Sequence, residues 1–246
     1  MSAAARRAML ITGSSGDVGR HLAGHFLAAG WTVLGIDKCP PAGDMPSGLV
    51  FRQCDLAEGV AATAAVDELV ARHGVVDALI NCAGRIANSP LVRLGDHGWE
   101  THDFALWQEV IASGLTTAFH ATALTVRHML QARHKGVVVN LSSVCAAGNP
   151  GQVAYSAAKA GLNGLTLALA KELGPLGIRV VGLAPGYLDT RSTRDNVPGG
   201  KLTRLTGAVP LRRLGLVDEV AATIEFIIAT DYVNGTVIEL DGGLVL

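Results

Sequence analysis

The alternation of short apolar runs with longer helix-like stretches is the feature of this 246-residue chain that most restricts its fold. The apolar runs are β-branched or aliphatic, and they predict strands at Ala8 to Thr12, Thr32 to Ile36, Leu49 to Gln53, Val76 to Asn81, Val137 to Leu141, Arg179 to Leu183 and Thr236 to Leu240. Helices are predicted near Gly19 to Ala29, Val60 to His73, Leu106 to Arg133, Gln152 to Leu173 and Asp218 to Ile228. Because such strands are apolar on both faces, the pattern indicates a parallel α/β sheet covered by helices on both sides.

Composition favours one self-associating domain and excludes several functions. Hydrophobic residues make up 49% of the chain, and no repeat or linker divides it, so we expect a single domain over residues 1–246 with some surface covered by partner subunits. The net charge of −1 lacks the basic excess that nucleic-acid binding requires. Met1 to Arg7 has no apolar signal core, and no run reaches about 18 apolar residues, so we expect no membrane span and a cytoplasmic protein. The four cysteines lack a Cys-x-x-Cys spacing, and His21 and His25 lack a third candidate ligand, so no metal site is predicted.

A glycine-rich turn follows the first predicted strand and opens the first predicted helix. It runs Thr12-Gly13-Ser14-Ser15-Gly16-Asp17-Val18-Gly19. Its glycines permit a tight turn, close approach of backbone to a pyrophosphate and packing of helix on strand, while the free N–H groups of the helix attract the anion. The turn predicts a dinucleotide site formed by Gly13, Ser15, Gly16, Asp17, Val18 and Gly19, with a glycine-rich turn that binds nothing as the alternative.

A carboxylate at the end of the second predicted strand indicates which dinucleotide binds. Asp37 lies 18 residues after Gly19. It can accept hydrogen bonds from both hydroxyls of the adenosine ribose and would repel a 2′-phosphate, which favours NAD over NADP. Lys38 follows directly and reduces that repulsion.

The ends of the third and fourth predicted strands carry further candidates. Asp55, followed by Leu56, either meets the adenine amino group or caps the next helix, and we weigh these equally. The fourth strand ends in Asn81-Cys82-Ala83-Gly84. Its small residues let the backbone of Asn81, Ala83 and Gly84 approach a cofactor, and a simple turn is the alternative.

Tyr155 and Lys159 are four residues apart in a predicted helix, so the phenol and the ammonium share one face. A phenol is ionised only well above neutral pH, and a cation roughly 5 Å away at an effective dielectric constant of about 20 favours the ionised form by about 3 kcal/mol. The pair predicts an acid/base tyrosine whose pKa is lowered mainly by the lysine and further by a positively charged cofactor. A surface tyrosine beside a solvated lysine is the alternative.

Two long connections do not fit the alternation of strands and helices. Arg85 to Ala105 is polar, and Tyr187 to Pro210 is loop-like. Irregular segments after parallel strands usually cover the carboxyl edge of the sheet, where ligands bind. The second connection therefore predicts a mobile substrate lid at about residues 187–210.

Taken together, these residues resemble the compact, single-domain branch of the short-chain dehydrogenase/reductase family over essentially the whole chain. The matching motifs are the glycine turn, Asp37, Asp55, Asn81-Cys82-Ala83-Gly84, Asn140-Leu141-Ser142-Ser143, Tyr155 with Lys159, Pro185-Gly186 and Asp241-Gly242-Gly243. The resemblance implies a Rossmann-type, doubly wound sheet of seven parallel strands, and hydride exchange between a nicotinamide and a carbonyl or secondary alcohol. It also implies a homodimer or homotetramer built by two long helices and the last strand.

The resemblance further implies roles for individual residues. Tyr155 would exchange the proton, and Lys159 would lower its pKa while binding the nicotinamide ribose. Thr190 matches the residue that touches the nicotinamide carboxamide. The cofactor site would be completed by Pro185, Gly186 and Leu188.

A serine would hold the substrate oxygen, and two candidates adjoin. Position along the strand from Asn140 selects Ser143, whereas distance from Tyr155 selects Ser142. We prefer Ser143, because strand position fixes the direction of a side chain more firmly than loop length does.

The sequence departs from the family pattern at two further places. Asp17 stands where the middle glycine of the turn is usual, and Gly16 takes that role. Counting seven residues from Trp107 reaches Gly114, where the family often has an asparagine that organises a proton-relay water. Either Ser113 or a water substitutes, or turnover is altered.

The leading hypothesis is thus an NAD-preferring oxidoreductase acting on a small carbonyl or alcohol. A dinucleotide-binding sensor or scaffold with little turnover, and a non-redox lyase or isomerase on the same fold, are the alternatives.

Overall fold

The computed structural model describes residues 7–41, 43–196 and 199–244. The strands are β1 (Ala8–Thr12), β2 (Thr32–Asp37), β3 (Val50–Gln53), β4 (Ala78–Asn81), β5 (Val92–Gly95), β6 (Gly98–Thr101), β7 (Gly136–Leu141), β8 (Ile178–Pro185) and β9 (Val237–Leu240). The helices are α1 (Asp17–Ala28), α2 (Gly59–His73), α3 (Phe104–Ile111), α4 (Thr117–Gln131), α5 (Val153–Leu173), α6 (Arg191–Asn196), α7 (Gly199–Ala208) and α8 (Val217–Ala229).

The main sheet has seven strands, all parallel, in the order β3-β2-β1-β4-β7-β8-β9. Successive residues of β1 point to opposite faces: Ala8 and Leu10 belong to one buried apolar cluster, and Met9 and Ile11 to the other. Both faces of the sheet are therefore covered. The predicted Rossmann-type, doubly wound α/β fold is confirmed.

The order of the strands places the candidate site. From β1 the chain moves outward through β2 to β3, and then returns to the other side of β1 with β4. In open α/β sheets, ligands bind outside the carboxyl ends of the strands at the point where this order reverses. That point lies at the ends of β1 and β4.

The connection from Arg85 to Ala105 is not irregular, so that prediction is wrong. It contains a hairpin in which β5 and β6 pair antiparallel, and Gly98 takes a φ of +118° at the turn, where glycine is favoured. The hairpin strands are only four residues long and largely exposed, so they lack the continuous apolar run that marks a buried strand of a parallel sheet.

The helix predicted from Leu106 to Arg133 is interrupted. Between α3 and α4, Ala112–Thr116 forms a π-helical turn, and the Thr117 hydroxyl donates to the Ala112 carbonyl at 3.0 Å. Turns of this kind occur often at functional sites, and this one adjoins the ends of β1 and β4 through Ser113, as described below.

The predicted loop from Tyr187 to Pro210 is largely helical instead, because α6 and α7 occupy most of it. Residues 197 and 198, near its centre, lie outside the described residues. Leu188 forms an isolated bridge with Gly215, which fixes the start of the segment to the chain that follows it. The mobility of this segment stays a prediction.

The two histidines of α1 join that helix to α8. His21 pairs with Asp218 at 2.7 Å, and His25 pairs with Glu225 at 3.0 Å. Within the described ranges, no group of three potential metal ligands occurs, and no helix is long and apolar enough to cross a membrane.

Candidate active site

A cleft of about 790 Å³ opens at the carboxyl ends of the strands. Its wall contains the glycine turn apart from Ser14 and Ser15, the residues that follow β2, β3 and β4, the end of β7, the first turn of α5 and the residues that follow β8. One cavity therefore collects most of the motifs that the sequence places far apart.

The three glycines of the turn are required for different steric reasons. A Cβ added to Gly13, which has a φ of +69°, would lie 2.7 Å from the Ala83 Cα, and one added to Gly19 would lie 2.2 Å from the Gly13 oxygen. Gly16 faces only that same oxygen, at 3.4 Å, and lines the cleft at the start of α1. Gly13 and Gly19 thus permit close packing, while Gly16 leaves room for a ligand at the helix N-terminus, as a pyrophosphate requires.

Asp17 and Val18 begin α1 and also line the cleft. The Asp17 carboxylate lies 3.9 Å from Arg20, one turn later on the same helix. Val18 packs against the buried cluster beneath the turn. An acid beside the anion site is therefore partly compensated by a neighbouring cation.

Asp37 is held rigidly at the end of β2. Its carboxylate accepts the backbone N–H of Ser15 at 3.0 Å and that of Cys39 at 2.9 Å, and the Ser15 hydroxyl donates to the Cys39 carbonyl at 3.0 Å. These bonds fix the carboxylate next to the glycine turn, on the wall of the cleft.

Asp55 and Leu56 line the cleft after β3. The Asp55 carboxylate accepts the Ala57 backbone N–H at 2.9 Å, in a turn that precedes α2. Because Glu58 is the N-cap of α2, the proposal that Asp55 caps this helix is wrong.

The Asn81 side chain does not line the cleft, and the approach of its backbone to a cofactor stays a prediction. Its side chain is buried and donates to Thr122 at 3.0 Å and to Asn140 at 2.8 Å, and Asn140 in turn donates to Thr166 of α5 at 2.9 Å. An amide at the last position of a strand can point into the sheet or toward a ligand, and the sequence does not distinguish the two. Ala83 and Gly84 do line the cleft.

The two adjacent serines point in different directions. The Ser143 side chain lies close enough to the Tyr155 hydroxyl to lower its pKa by hydrogen bonding, and it accepts the Cys145 N–H at 3.2 Å. Ser142 donates instead to the Asn163 side chain of α5 at 2.5 Å. The geometry therefore pairs Ser143, rather than Ser142, with Tyr155.

Tyr155 and Lys159 share one face of α5, and the Lys159 Nζ lies 5.6 Å from the centre of the phenol ring. Burial raises the pKa of Tyr155 above its usual range, which outweighs the opposing hydrogen bond from Ser143. Burial also lowers the pKa of Lys159 to about 8, and its Nζ donates to the Leu141 carbonyl at 2.6 Å. In the chain by itself the pKa of Tyr155 is thus raised, because removal from water dominates for both groups. Lowering of this pKa by the lysine together with a bound cofactor stays a prediction.

We expect Lys159→Met to stabilise the fold by about 1–3 kcal/mol, even though the Leu141 carbonyl loses its donor, because a buried ammonium is replaced by an apolar chain of similar length. The lysine is protonated in both states below a pH of about 8, so its burial cost is complete there. This cost of burying Lys159 declines as the pH rises toward the pKa that the lysine has in the unfolded chain, because in that range the unfolded state binds more protons than the folded state. Urea unfolding between pH 6 and 10 measures this, with exposed Lys171→Met on the same helix as the control. A loss of stability in Lys159→Met that Lys171→Met does not show would contradict this prediction.

At position 114, where the family often has an asparagine, this chain has a glycine and therefore offers only backbone atoms. Gly114 is buried, and a Cβ added there would lie 3.4 Å from the Ala158 Cβ. Ser113 lines the cleft instead: its hydroxyl donates to the Val110 carbonyl at 3.2 Å and accepts the Arg85 N–H at 3.3 Å. A part for Ser113 in proton relay stays a prediction.

The residues after β8 complete one wall of the cleft, through Pro185, Gly186, Leu188 and Thr190. A Cβ added to Gly186 would lie 2.9 Å from the Asp241 Cα, which explains the glycine. The Thr190 hydroxyl accepts the Thr193 N–H at 3.1 Å at the start of α6.

Sequence reasoning missed a chain of neutral polar side chains at the Tyr155 end. Asn149 donates to Gln152 at 2.9 Å and to the Tyr187 hydroxyl at 3.3 Å, and Gln152 donates to Asn88 at 2.7 Å. Gln152 and Tyr187 line the cleft. The position of Gln152 one turn before Tyr155 on the same helical face is the signal that points to it.

Comparison with known proteins identifies the family. The family model described as short chain dehydrogenase matches residues 7–199. The chain belongs to the short-chain dehydrogenase family. This short-chain dehydrogenase is 32% identical over 250 residues to a 3-oxoacyl-[acyl-carrier-protein] reductase of Chlamydia muridarum, with 97% of each chain covered. It is 34% identical over 255 residues to the reductase of the same name from Thermotoga maritima, which covers 96% of this chain and 97% of that one.

Solved structures agree with this short-chain dehydrogenase in fold. The ligand-free aldohexose dehydrogenase of Thermoplasma acidophilum superposes with a TM-score of 0.86 at 24% identity, covering 97% of this chain and 94% of that one. Family and relatives together make the protein an NAD(P)-dependent oxidoreductase that transfers a hydride between nicotinamide and a carbonyl or secondary alcohol of a small molecule. The sensor and the non-redox alternatives are not favoured.

Proposed function

We propose that this enzyme prefers NAD and that Tyr155 exchanges the proton, Ser143 holds the substrate oxygen and Lys159 holds the nicotinamide ribose. The observation that carries the proposal is the placement of Tyr155, Ser143 and Lys159 together on the wall of the cleft that the glycine turn opens, while the Ser142 hydroxyl is turned toward Asn163. A substrate oxygen that accepts from both hydroxyls would be polarised by two donors at once.

The chain's own residues prepare the proton transfer. Burial keeps the Tyr155 hydroxyl protonated, so it is ready to donate to a developing alkoxide in the reduction direction. In oxidation the same oxygen would act as base, aided by the positive charge of Lys159 one turn away. The bound nicotinamide supplies or accepts the hydride.

The cofactor would be held at Gly13, Ser15, Gly16, Asp17, Val18 and Gly19, at Asp37, Asp55 and Leu56, at Asn81, Ala83 and Gly84, and at Pro185, Gly186, Leu188 and Thr190. NADP is the less favoured dinucleotide. The preference for NAD rests on Asp37. Its carboxylate is fixed by two backbone N–H groups and cannot turn away from a 2′-phosphate without breaking both.

We expect Asp37→Ala to narrow the preference for NADH over NADPH by roughly ten-fold, because the variant removes both the acceptor for the ribose hydroxyls and the charge that repels a phosphate. Fluorescence titration with each dinucleotide gives the ratio of dissociation constants. Asp231→Ala, which removes an equal charge from a fully exposed side chain, is the control. A wild-type enzyme that binds NADPH more tightly would contradict the proposed preference.

The substrate would be a neutral carbonyl or alcohol. Its neighbours at the Tyr155 end are the amide of Gln152, the hydroxyl of Tyr187 and the apolar chain of Val144. In the segment that follows, Arg194 is already bound by both oxygens of Asp189 at 2.8 Å. The segment at about 187–210, which starts at this wall, is the proposed mobile lid.

Turnover of a panel of ketones and secondary alcohols, followed through nicotinamide absorbance, tests the function. NADH binding without turnover across the panel would favour a sensor. Product formed with no change in the redox state of the cofactor would favour a lyase or isomerase.

We also propose a homodimer or homotetramer. Phe119 and Leu130 of α4 and Leu167 of α5 expose apolar surface on the two long helices, with Phe119 51% exposed. Light scattering after gel filtration measures the assembly, and a monomer at micromolar concentration would contradict it.

A further inference from the structure

Glu109 of α3 holds two cations at the rim of the cleft. We propose that this carboxylate helps to select NAD against NADP by withholding Lys38 and Arg85 from a 2′-phosphate. The inference rests on the proposed preference for NAD and names a second residue, outside the dinucleotide motifs, that sets it.

The contacts join three parts of the chain. The Lys38 Nζ lies 3.7 Å from one oxygen of Glu109, and the Arg85 guanidinium donates to the other. All three side chains line the cleft together with Asp37. The hydrogen bond from Arg85 lowers the pKa of the Glu109 carboxyl, so the carboxylate stays charged at neutral pH.

The topology places this ion-pair chain beside the glycine turn. Lys38 directly follows β2, and Arg85 comes shortly after β4, while β1 lies between those two strands. Strands two apart in a sheet are separated by roughly 10 Å. Glu109 therefore bridges the two sides of the end of β1, where the turn from Gly13 to Gly19 begins.

The charges explain why the effect depends on the 2′ position. The ribose hydroxyls of NAD are neutral and need only the fixed carboxylate of Asp37. A 2′-phosphate carries a charge of about −2 and needs free cations close to it. Lys38 adjoins Asp37 in the chain, and it can act as such a cation only by giving up its contact with Glu109. Without that carboxylate, both cations would be available to the phosphate.

Glu109→Gln tests the inference, because glutamine keeps the size of the side chain and removes its charge. We expect the ratio of the NADPH to the NADH dissociation constant to fall by roughly two- to five-fold, as suits one partly exposed charge. The same shift should appear when 2′,5′-ADP is compared with 5′-AMP, since these fragments report only the adenosine end. The shift should shrink at high salt.

Glu100→Gln is the matched control. Glu100 pairs with Arg93 at 2.7 Å in the hairpin of β5 and β6, and neither residue lines the cleft, so this variant removes an equal charge and a similar ion pair. Its ratio should equal that of the wild type. If Glu109→Gln left the ratio of the two dissociation constants unchanged, for example by strengthening NADH and NADPH binding equally, the inference would be overturned. A wild-type preference for NADPH that Glu109→Gln increases further would refute the proposed NAD preference and still support the part assigned to Glu109.

Discussion

Tyr155→Phe is expected to lower kcat by about 10²- to 10⁴-fold while the dissociation constant of NADH changes little. The substitution removes the hydroxyl that would exchange the proton, and general acid/base groups contribute effects of this size. Phenylalanine keeps the ring that packs beside Ala154 and Ala158, so the fold should persist. Steady-state kinetics and fluorescence titration with NADH separate the two quantities.

Tyr187→Phe is the matched control, because it also removes a phenol hydroxyl from the cleft. That hydroxyl accepts from Asn149 and has no hydrogen bond with Ser143 among the described contacts. We expect a change in KM, with kcat within about ten-fold of the wild type. If both variants kept normal turnover, or if only Tyr187→Phe lost it, the role proposed for Tyr155 would be wrong.

Ser143→Ala should lower kcat by about 10²- to 10³-fold, the range found when one donor to a developing oxyanion is lost. Ser142→Ala should leave kcat within about three-fold, because its hydroxyl is turned toward Asn163. Both variants leave a polar group without its partner, the buried Cys145 N–H in one and the partly buried Asn163 amide in the other. Each should therefore lose about 1–3 kcal/mol of stability.

The similar cost in stability makes the comparison of the two serines informative. A general loss of structure would affect both variants alike, whereas a catalytic role separates them in kcat alone. Kinetics at a temperature where both remain folded, checked by circular dichroism, is the measurement. Loss of turnover in Ser142→Ala with normal turnover in Ser143→Ala would reverse the assignment.

The sheet could be predicted from the sequence because each central strand is apolar on both faces. The strands of the hairpin, Val92–Gly95 and Gly98–Thr101, were missed because they are exposed and carry no such signal. The break at Ala112–Thr116 was missed because a single glycine among serine and threonine weakens a helix without ending it, and the close packing of Gly114 between Gly84 and Ala158 becomes visible only in the fold.

The candidate site was predictable where local geometry decides it. The glycine turn, Asp37 and the four-residue spacing of Tyr155 and Lys159 each follow from one short segment. Glu109 was missed because its two cations come from loops that only the fold brings together. The raised pKa of Tyr155 in the chain by itself was missed because the charge pair was weighed without the burial that raises it.

The hydrogen bonds from Asn81 through Asn140 to Thr166 have a consequence for the tolerance of this enzyme to mutation. Thr166 is two helical turns after Lys159 on the same face of α5, so these bonds fasten the helix that carries Tyr155 and Lys159 to the middle of the sheet. A shift of one residue in the pairing of β4 with β7, or in the packing of α5 on β7, would break several of these buried hydrogen bonds at once. Substitutions in the loops around the cleft can therefore change the proposed substrate site without moving Tyr155 and Lys159, because buried contacts between α5 and the sheet hold these two side chains in place.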